Sequence, residues 1–362
     1  MSQSDYDAII LGQGLAGTTL AWNLRWQGRR VLVIDRDRSG TSSQIAAGLM
    51  TPITGQRLVQ SWRWTEFWES ATAFYRQVES EADARFLDPR HMVRLLASES
   101  EQKFLQRRLT SEFAYLISEP QPPLNSEIFD NRFGSFEMRE GGRLDVAAFL
   151  RASRLQFQRD AQFATADVCL ETDIELTPDG VRLKSLNVTA DHLIFCQGID
   201  AIANPWFQHV QFKPAKGEIL TVRIRGLTEE RIVHRGVWLM PLGDELYRVG
   251  ATYEWSQLDS DPTLTGREEI CLRLQEFLRL PIEVIAHDAA VRPILKHQYP
   301  VIGMHPDQPQ LGYFNGLGSK GSLQAPWLAR HFASVLTSQG TLDSEVDMHH
   351  YEPRVNRTRR HR

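Results

Sequence analysis

Asp7-Ala8-Ile9-Ile10-Leu11-Gly12-Gln13-Gly14-Leu15-Ala16-Gly17 is an apolar strand running directly into a G-x-G-x-x-G turn. A helix rich in alanine and leucine is predicted next, followed by a second apolar strand, Arg30-Val31-Leu32-Val33-Ile34, that ends on Asp35. Together they make a complete β-α-β unit for an ADP-ribose moiety. Gly12 permits the tight turn, Gly14 lets backbone approach a pyrophosphate, and Gly17 lets helix and strand pack closely. The helix N-terminus offers unpaired N–H groups and a partial positive charge to the phosphates. Asp35 stands where a carboxylate accepts the ribose hydroxyls.

Beyond Asp35 a polar loop (36–44) leads to Ile45-Ala46-Ala47-Gly48-Leu49-Met50-Thr51-Pro52, whose small residues admit a flat ring or simply connect elements. Trp64, Trp68, Ala71, Tyr75 and Val78 then recur at helical spacing, the pattern of a core-facing stripe. A second amphipathic helix is expected over 143–155, and a hairpin over 168–188 around Pro178-Asp179-Gly180. His192-Leu193-Ile194-Phe195-Cys196-Gln197-Gly198 reads as a strand buried on both faces and ending at Gly198. Alternation over 217–253 predicts an antiparallel sheet as a second layer, and 267–280 reads as a helix stopped by Pro281. Near the far end, Leu311-Gly312-Tyr313-Phe314-Asn315-Gly316-Leu317-Gly318-Ser319-Lys320-Gly321 is a strand feeding a second glycine loop. The helix that follows carries Leu328, Phe332, Val335 and Leu336 on its buried side.

At 362 residues the chain is long for a single core, so one large domain or two interleaved domains are expected. A net charge of −4 gives no reason to expect nucleic acid as a partner, and the basic stretch 354–362 reads as a solvated end. Cys169, Cys196 and Cys271 are odd in number and set in apolar strings, which predicts buried free thiols in a reducing compartment. No metal-binding pattern, leader or membrane span is apparent, so no metal site and a cytoplasmic location are expected.

The fingerprint alone leaves NAD and FAD open. Its single occurrence, and the second glycine loop that can meet the other half of a long cofactor, favour FAD. The chain resembles the D-amino-acid oxidase superfamily of FAD-dependent oxidoreductases, and within it the glycine oxidase-like branch. The resemblance rests on residues 12–35, on Ala46-Ala47-Gly48-Leu49-Met50-Thr51-Pro52 and on Pro214-Ala215-Lys216-Gly217-Glu218. It continues through Met240-Pro241, Val249-Gly250-Ala251-Thr252, Val291-Arg292-Pro293, Pro300-Val301-Ile302-Gly303 and residues 316–326.

The resemblance implies an α/β fold in which a Rossmann-type FAD-binding domain, split in sequence, carries an inserted α+β substrate domain built on an antiparallel sheet. Residues 1–84, 141–205 and 290–340 are assigned to the first, 85–140 and 206–289 to the second, and 341–362 to a C-terminal tail. FAD contacts are implied at Gly12, Gly14, Leu15, Ala16, Asp35, Arg36, Ser43, Gly48 and Leu49, and at Val168 on the adenine side. Gly17 and Gly198 complete that set, and the flavin is assigned to Leu317, Gly318, Ser319, Lys320, Gly321, Ser322 and Leu323.

The family's carboxylate-binding arginine maps to Arg292, whose guanidinium suits a carboxylate through two parallel hydrogen bonds. Two departures stand out. Trp238 occupies the place of a tyrosine that helps hold the substrate carboxylate, and Ser319, followed by Lys320, replaces a second arginine. A tryptophan has one donor and a large apolar face, so a more hydrophobic pocket than glycine needs is expected.

The implied reaction is oxidation of an amine or amino acid by hydride transfer to the flavin. The imine then hydrolyses, and oxygen, a quinone or a carrier takes the electrons. Arg292, Trp238, Lys320 and Lys296 are the candidate substrate-side residues, with His297 a weaker one. Oxidation of a 2-hydroxy acid or other non-amine, a role in tRNA or cofactor maturation, and a non-catalytic FAD-binding partner protein are the alternatives.

Overall fold

A computed structural model describes residues 4–351. The first apolar run forms the strand Tyr6–Leu11, whose last four residues are buried. It pairs in parallel with Val31–Asp35 on one side and Val188–Phe195 on the other. Phe163–Thr165 extends the sheet beyond Val31–Asp35, and Leu311–Asn315 extends it beyond Val188–Phe195, both in parallel. Three antiparallel strands complete the eight: Val301–Met304 beside Leu311–Asn315, and the hairpin Ile174–Thr177/Gly180–Leu183. The hairpin is tighter than the alternation over 168–188 predicts. Its turn lies at Pro178-Asp179, where Gly180 has a positive φ and a Cβ would overlap the Ala190 carbonyl oxygen.

The helix Leu15–Trp26 starts at the fingerprint and runs against this sheet. Gly17 makes that possible, because a Cβ there would overlap the carbonyl oxygen of Gly12. Gly12 itself has φ 106°, and a Cβ on it would strike the Cys196 carbonyl oxygen. The helices Trp64–Ala82, Val146–Arg159 and Gly321–Leu336 pack with Leu15–Trp26 around one apolar core. The aromatic stripe on Trp64–Ala82 faces inward as its spacing predicts, with Trp64, Ala71, Tyr75 and Val78 buried. Pro326 sits inside Gly321–Leu336 and lacks the N–H that would bond the Ser322 carbonyl. The buried Tyr75 hydroxyl donates to that carbonyl instead, at 2.8 Å, so the proline's missing bond ties two helices together.

Two helices start at polar caps that the apolar periodicity alone did not reveal. Asp145 accepts from the Ala148 N–H at 3.0 Å and starts Val146–Arg159, while Gly142–Leu144 before it is a strand. Thr263 accepts from the Gly266 N–H and starts Leu264–Gln275.

The second layer is an eight-stranded, mostly antiparallel sheet. Its order is Glu283–Arg292, Ala215–Arg223, Leu246–Gly250, Val237–Gly243, Ile232–Arg235, Met92–Leu95, Ser135–Met138 and Ile117–Ser118. The Ile232–Arg235/Met92–Leu95 pair alone within it is parallel. Glu283–Arg292 is continuous through residue 290, so the boundary expected there cuts a strand and Arg292 belongs to this sheet. Residues 341–351 pack on the body: Val346 and Met348 are buried, and Ile302 bridges to Asp347. The basic stretch 354–362 lies outside the described residues. Of the three thiols expected to be buried, Cys196 is, Cys271 is half-buried and Cys169 is exposed in a loop; all three are free.

Gly17→Ala tests the closeness of strand and helix. In an open helix the exchange stabilises by about 1 kcal/mol. Here the added methyl meets backbone, so a lower Tm is expected, read from thermal unfolding.

Candidate active site

Between the two sheets runs a cleft of about 1270 Å³. It is lined at one end by Gly12, Gly14, Asp35, Arg36 and Val168, and at the other by residues 317–323 and Arg292. Two helix N-termini open onto it, Leu15–Trp26 and Gly321–Leu336; neither N-cap residue, Gly14 or Lys320, caps its helix with a side chain, and neither first turn holds an acidic residue. Free N–H groups at both ends of one cleft make two seats for negative charge.

Asp35 is fixed at the end of its strand, its carboxylate accepting from the Gln13 N–H at 2.7 Å and the Asp37 N–H at 2.8 Å. Ser43 places its Oγ 3.2 Å from the Leu15 N–H, at the helix entrance. Arg36 pairs with Asp200 across the cleft rim. Arg154 donates to the Gln13 Oε1 at 2.6 Å and pairs with Asp37 at 2.5 Å. At the other end the half-buried Lys320 ammonium has, among the described residues, only the Ser61 hydroxyl, at 3.3 Å, and burial lowers its pKa.

Arg292 is the cation of the opposite wall. Its Nη1 donates to the Thr252 carbonyl at 3.1 Å and the Lys216 carbonyl at 3.4 Å, and its guanidinium lies 4.2 Å from the centre of the Tyr253 ring. No carboxylate among the described residues lies within 4.0 Å of it, and burial lowers its pKa. Gly217 makes its seat, because a Cβ there would occupy the guanidinium's place. A desolvated guanidinium without an acidic partner is a receptor for a carboxylate.

The ceiling beside it is a row of directly paired residues. Ile219 pairs with Gly250, Gly250 with Trp238, Trp238 with His234, and His234 with Arg94. Directly paired residues project to one face, and all five line the cleft.

The sequence matches the family described as "FAD dependent oxidoreductase" over residues 7–335. The chain belongs to that family. It is 26% identical to a glycine oxidase of Bacillus licheniformis over 348 residues, covering 91% of this chain and 93% of that one. Its fold matches a glycine oxidase of Bacillus cereus with a TM-score of 0.79 at 17% identity, covering 93% of this chain and 96% of that one. An iminodiacetate oxidase of Chelativorans matches with a TM-score of 0.74 at 19% identity, covering 96% and 98%.

FAD is therefore the cofactor, and the cleft's donor set fits it. The helix N-terminus at Gly14 suits the pyrophosphate, Asp35 the ribose, and the second helix N-terminus at Gly321 an electron-rich flavin edge. Among the residues expected at FAD, only Gly17 does not line the cleft; it acts by packing on Gly12. Trp238 and Lys320 line the cleft with Arg292. Lys296 does not belong with them. It lies past the end of the Arg292 strand, exposed, and its Nζ donates to the Gln211 Oε1 at 3.0 Å. His297 likewise stacks edgewise on Tyr351, off the cleft.

The structure adds cleft residues that sequence reading passed over. Gly217 lay inside the quoted Lys216-Gly217-Glu218 motif, but nothing in one sequence shows that a side chain lies on it. Tyr253 follows directly on the quoted Val249–Thr252 motif. Arg94, His234 and Arg154 carry no motif.

Two substitutions probe the ends separately. Asp35→Ala removes a held carboxylate, and at least about tenfold weaker FAD retention is expected on dilution or dialysis, the size of one to two charged hydrogen bonds. Gly217→Ala forces Arg292 from its seat, so FAD content should hold while acetate binding, followed by the flavin spectrum, weakens.

Proposed function

We propose that this FAD-dependent oxidoreductase oxidises an amino acid or related amine bearing a carboxylate. The observation that carries the reading is the half-buried Arg292 guanidinium, which faces the cleft with carbonyl partners and, among the described residues, no acid. It holds the substrate carboxylate, while Tyr253 stacked on it forms one side of the seat. Bound FAD supplies the acceptor for the hydride that leaves the carbon bearing the amine. Trp238 and Ile219 present apolar surface that turns that carbon toward the cleft floor. The floor carries the Gly321 helix N-terminus and Lys320, and both favour negative charge at that place. No side-chain base is required, since a neutral amine drives the hydride out with its own lone pair. Loss of its N–H proton then leaves an imine, which water hydrolyses. The glycine oxidase and iminodiacetate oxidase relatives support an amine substrate.

The test is anaerobic bleaching of the flavin with a panel of amines, amino acids and 2-hydroxy acids. Amino acids are expected to bleach it. Bleaching by hydroxy acids alone would replace this reading with the hydroxy-acid one. Arg292→Ala should retain flavin yet weaken acetate binding by at least about tenfold, as loss of a charge-assisted pair requires; unchanged binding removes Arg292 from the substrate seat.

A further inference from the structure

The far end of the ceiling row is polar. Arg94 donates from Nη1 to the His234 Nδ1 at 2.7 Å and from Nη2 to the Glu101 carboxylate at 2.9 Å. Glu101 is held in turn by the Ala97 N–H at 2.9 Å. A guanidinium has donors only, so His234 Nδ1 must accept and the neutral ring carries its proton on Nε2. Burial and the Arg94 charge push the His234 pKa down to about 3, so the ring stays neutral at working pH. Arg94 Nε is itself buried with no hydrogen-bond partner among the described residues.

His234 lines the cleft, and the Arg94–Glu101 pair already balances its own charge. Through His234 this pole presents a neutral N–H donor of fixed tautomer. It stands three strands away from the strand that seats Arg292, a distance of about 14 Å between backbones before side chains fill the gap. Trp238 lies between the two poles as an apolar stretch of the ceiling. A substrate gripped at Arg292 and extended along Trp238 ends at His234.

We infer that His234 is a specificity-determining residue, donating from Nε2 to a carbonyl or carboxylate oxygen at the far end of the substrate. The preferred substrates are then amino acids whose side chain or nitrogen substituent ends in such an acceptor, rather than glycine. The inference rests on the carboxylate reading of Arg292.

The experiment titrates the holoenzyme with dicarboxylates from succinate to pimelate and their monoamides, each against the unbranched monocarboxylate of equal carbon number. Binding is followed by the flavin absorbance. At least one acceptor-ended acid is expected to bind about tenfold tighter than its match, the worth of one buried hydrogen bond. In His234→Leu that advantage should vanish while acetate binding stays unchanged, and His234→Gln, which keeps a neutral N–H donor, should restore part of it. Equal affinities across the matched pairs in the wild type overturn the proposal whether or not the variants fold, and so does an advantage that survives His234→Leu. Failure of the Arg292 reading shows separately, as acetate binding that Arg292→Ala leaves intact.

Discussion

A half-buried cation with no acid beside it among the described residues needs a seat that the backbone must build, and much of the cleft wall opposite the glycine loops follows from seating Arg292. The strand Ala215–Arg223 does this with three consecutive residues. Gly217 faces the guanidinium and leaves room for it. Its neighbours, on the opposite face by strand alternation, hold the loop that bears Tyr253. The fully buried Lys216 ammonium grips Asp259 at 2.5 Å, and that bond holds the Asp259 carboxyl down at about 2. Glu218 accepts from the Thr263 N–H and hydroxyl, both at 2.8 Å. Backbone bonds between Lys216 and Glu254 close the clamp next to Tyr253. One tripeptide thus sets both the cation and its cover.

The cofactor side obeys a complementary rule. There the N-cap residues Gly14 and Lys320 leave their helices without a cap of their own, only the Ser43 hydroxyl reaches the first helix at the Leu15 N–H, and acids are left out of both first turns among the described residues. Uncapped N–H groups are tolerated where a ligand satisfies them. The cost of bringing these elements together is met by glycine, at Gly12 and Gly17 on the first helix. Pro326 and Tyr75 brace the second helix against Trp64–Ala82 and so hold its first turn at the cleft. Charge therefore converges from opposite sides: backbone dipoles below, a guanidinium above.

Much of this was legible in the chain. The fingerprint from Asp7 to Asp35 names its own geometry because every glycine in it answers a local steric demand. The stripe from Trp64 to Val78 and the strand at His192 follow from periodicity, which is also local. Lys296 shows where such reading fails. Four residues from Arg292 looked near enough, but the strand ends at Arg292 and the chain turns toward Gln211. Helix starts at Asp145 and Thr263 were missed because a cap is one polar residue outside the apolar pattern. Arg94 and His234 were beyond reach, since 140 positions separate them and only a parallel strand pairing joins them.

By itself the sequence determined the conformation of the N-terminal glycine turn, and it marked a second glycine loop that the fold brings to the same cleft. These motifs act through backbone conformation, which nearby residues dictate. Only the tertiary structure decided what the substrate side offers. A guanidinium becomes a carboxylate receptor when folding buries it without an acid, and a histidine becomes a fixed neutral donor when a distant arginine takes one ring nitrogen. Both depend on which charges share a low-dielectric space, and that is a property of the assembled sheet.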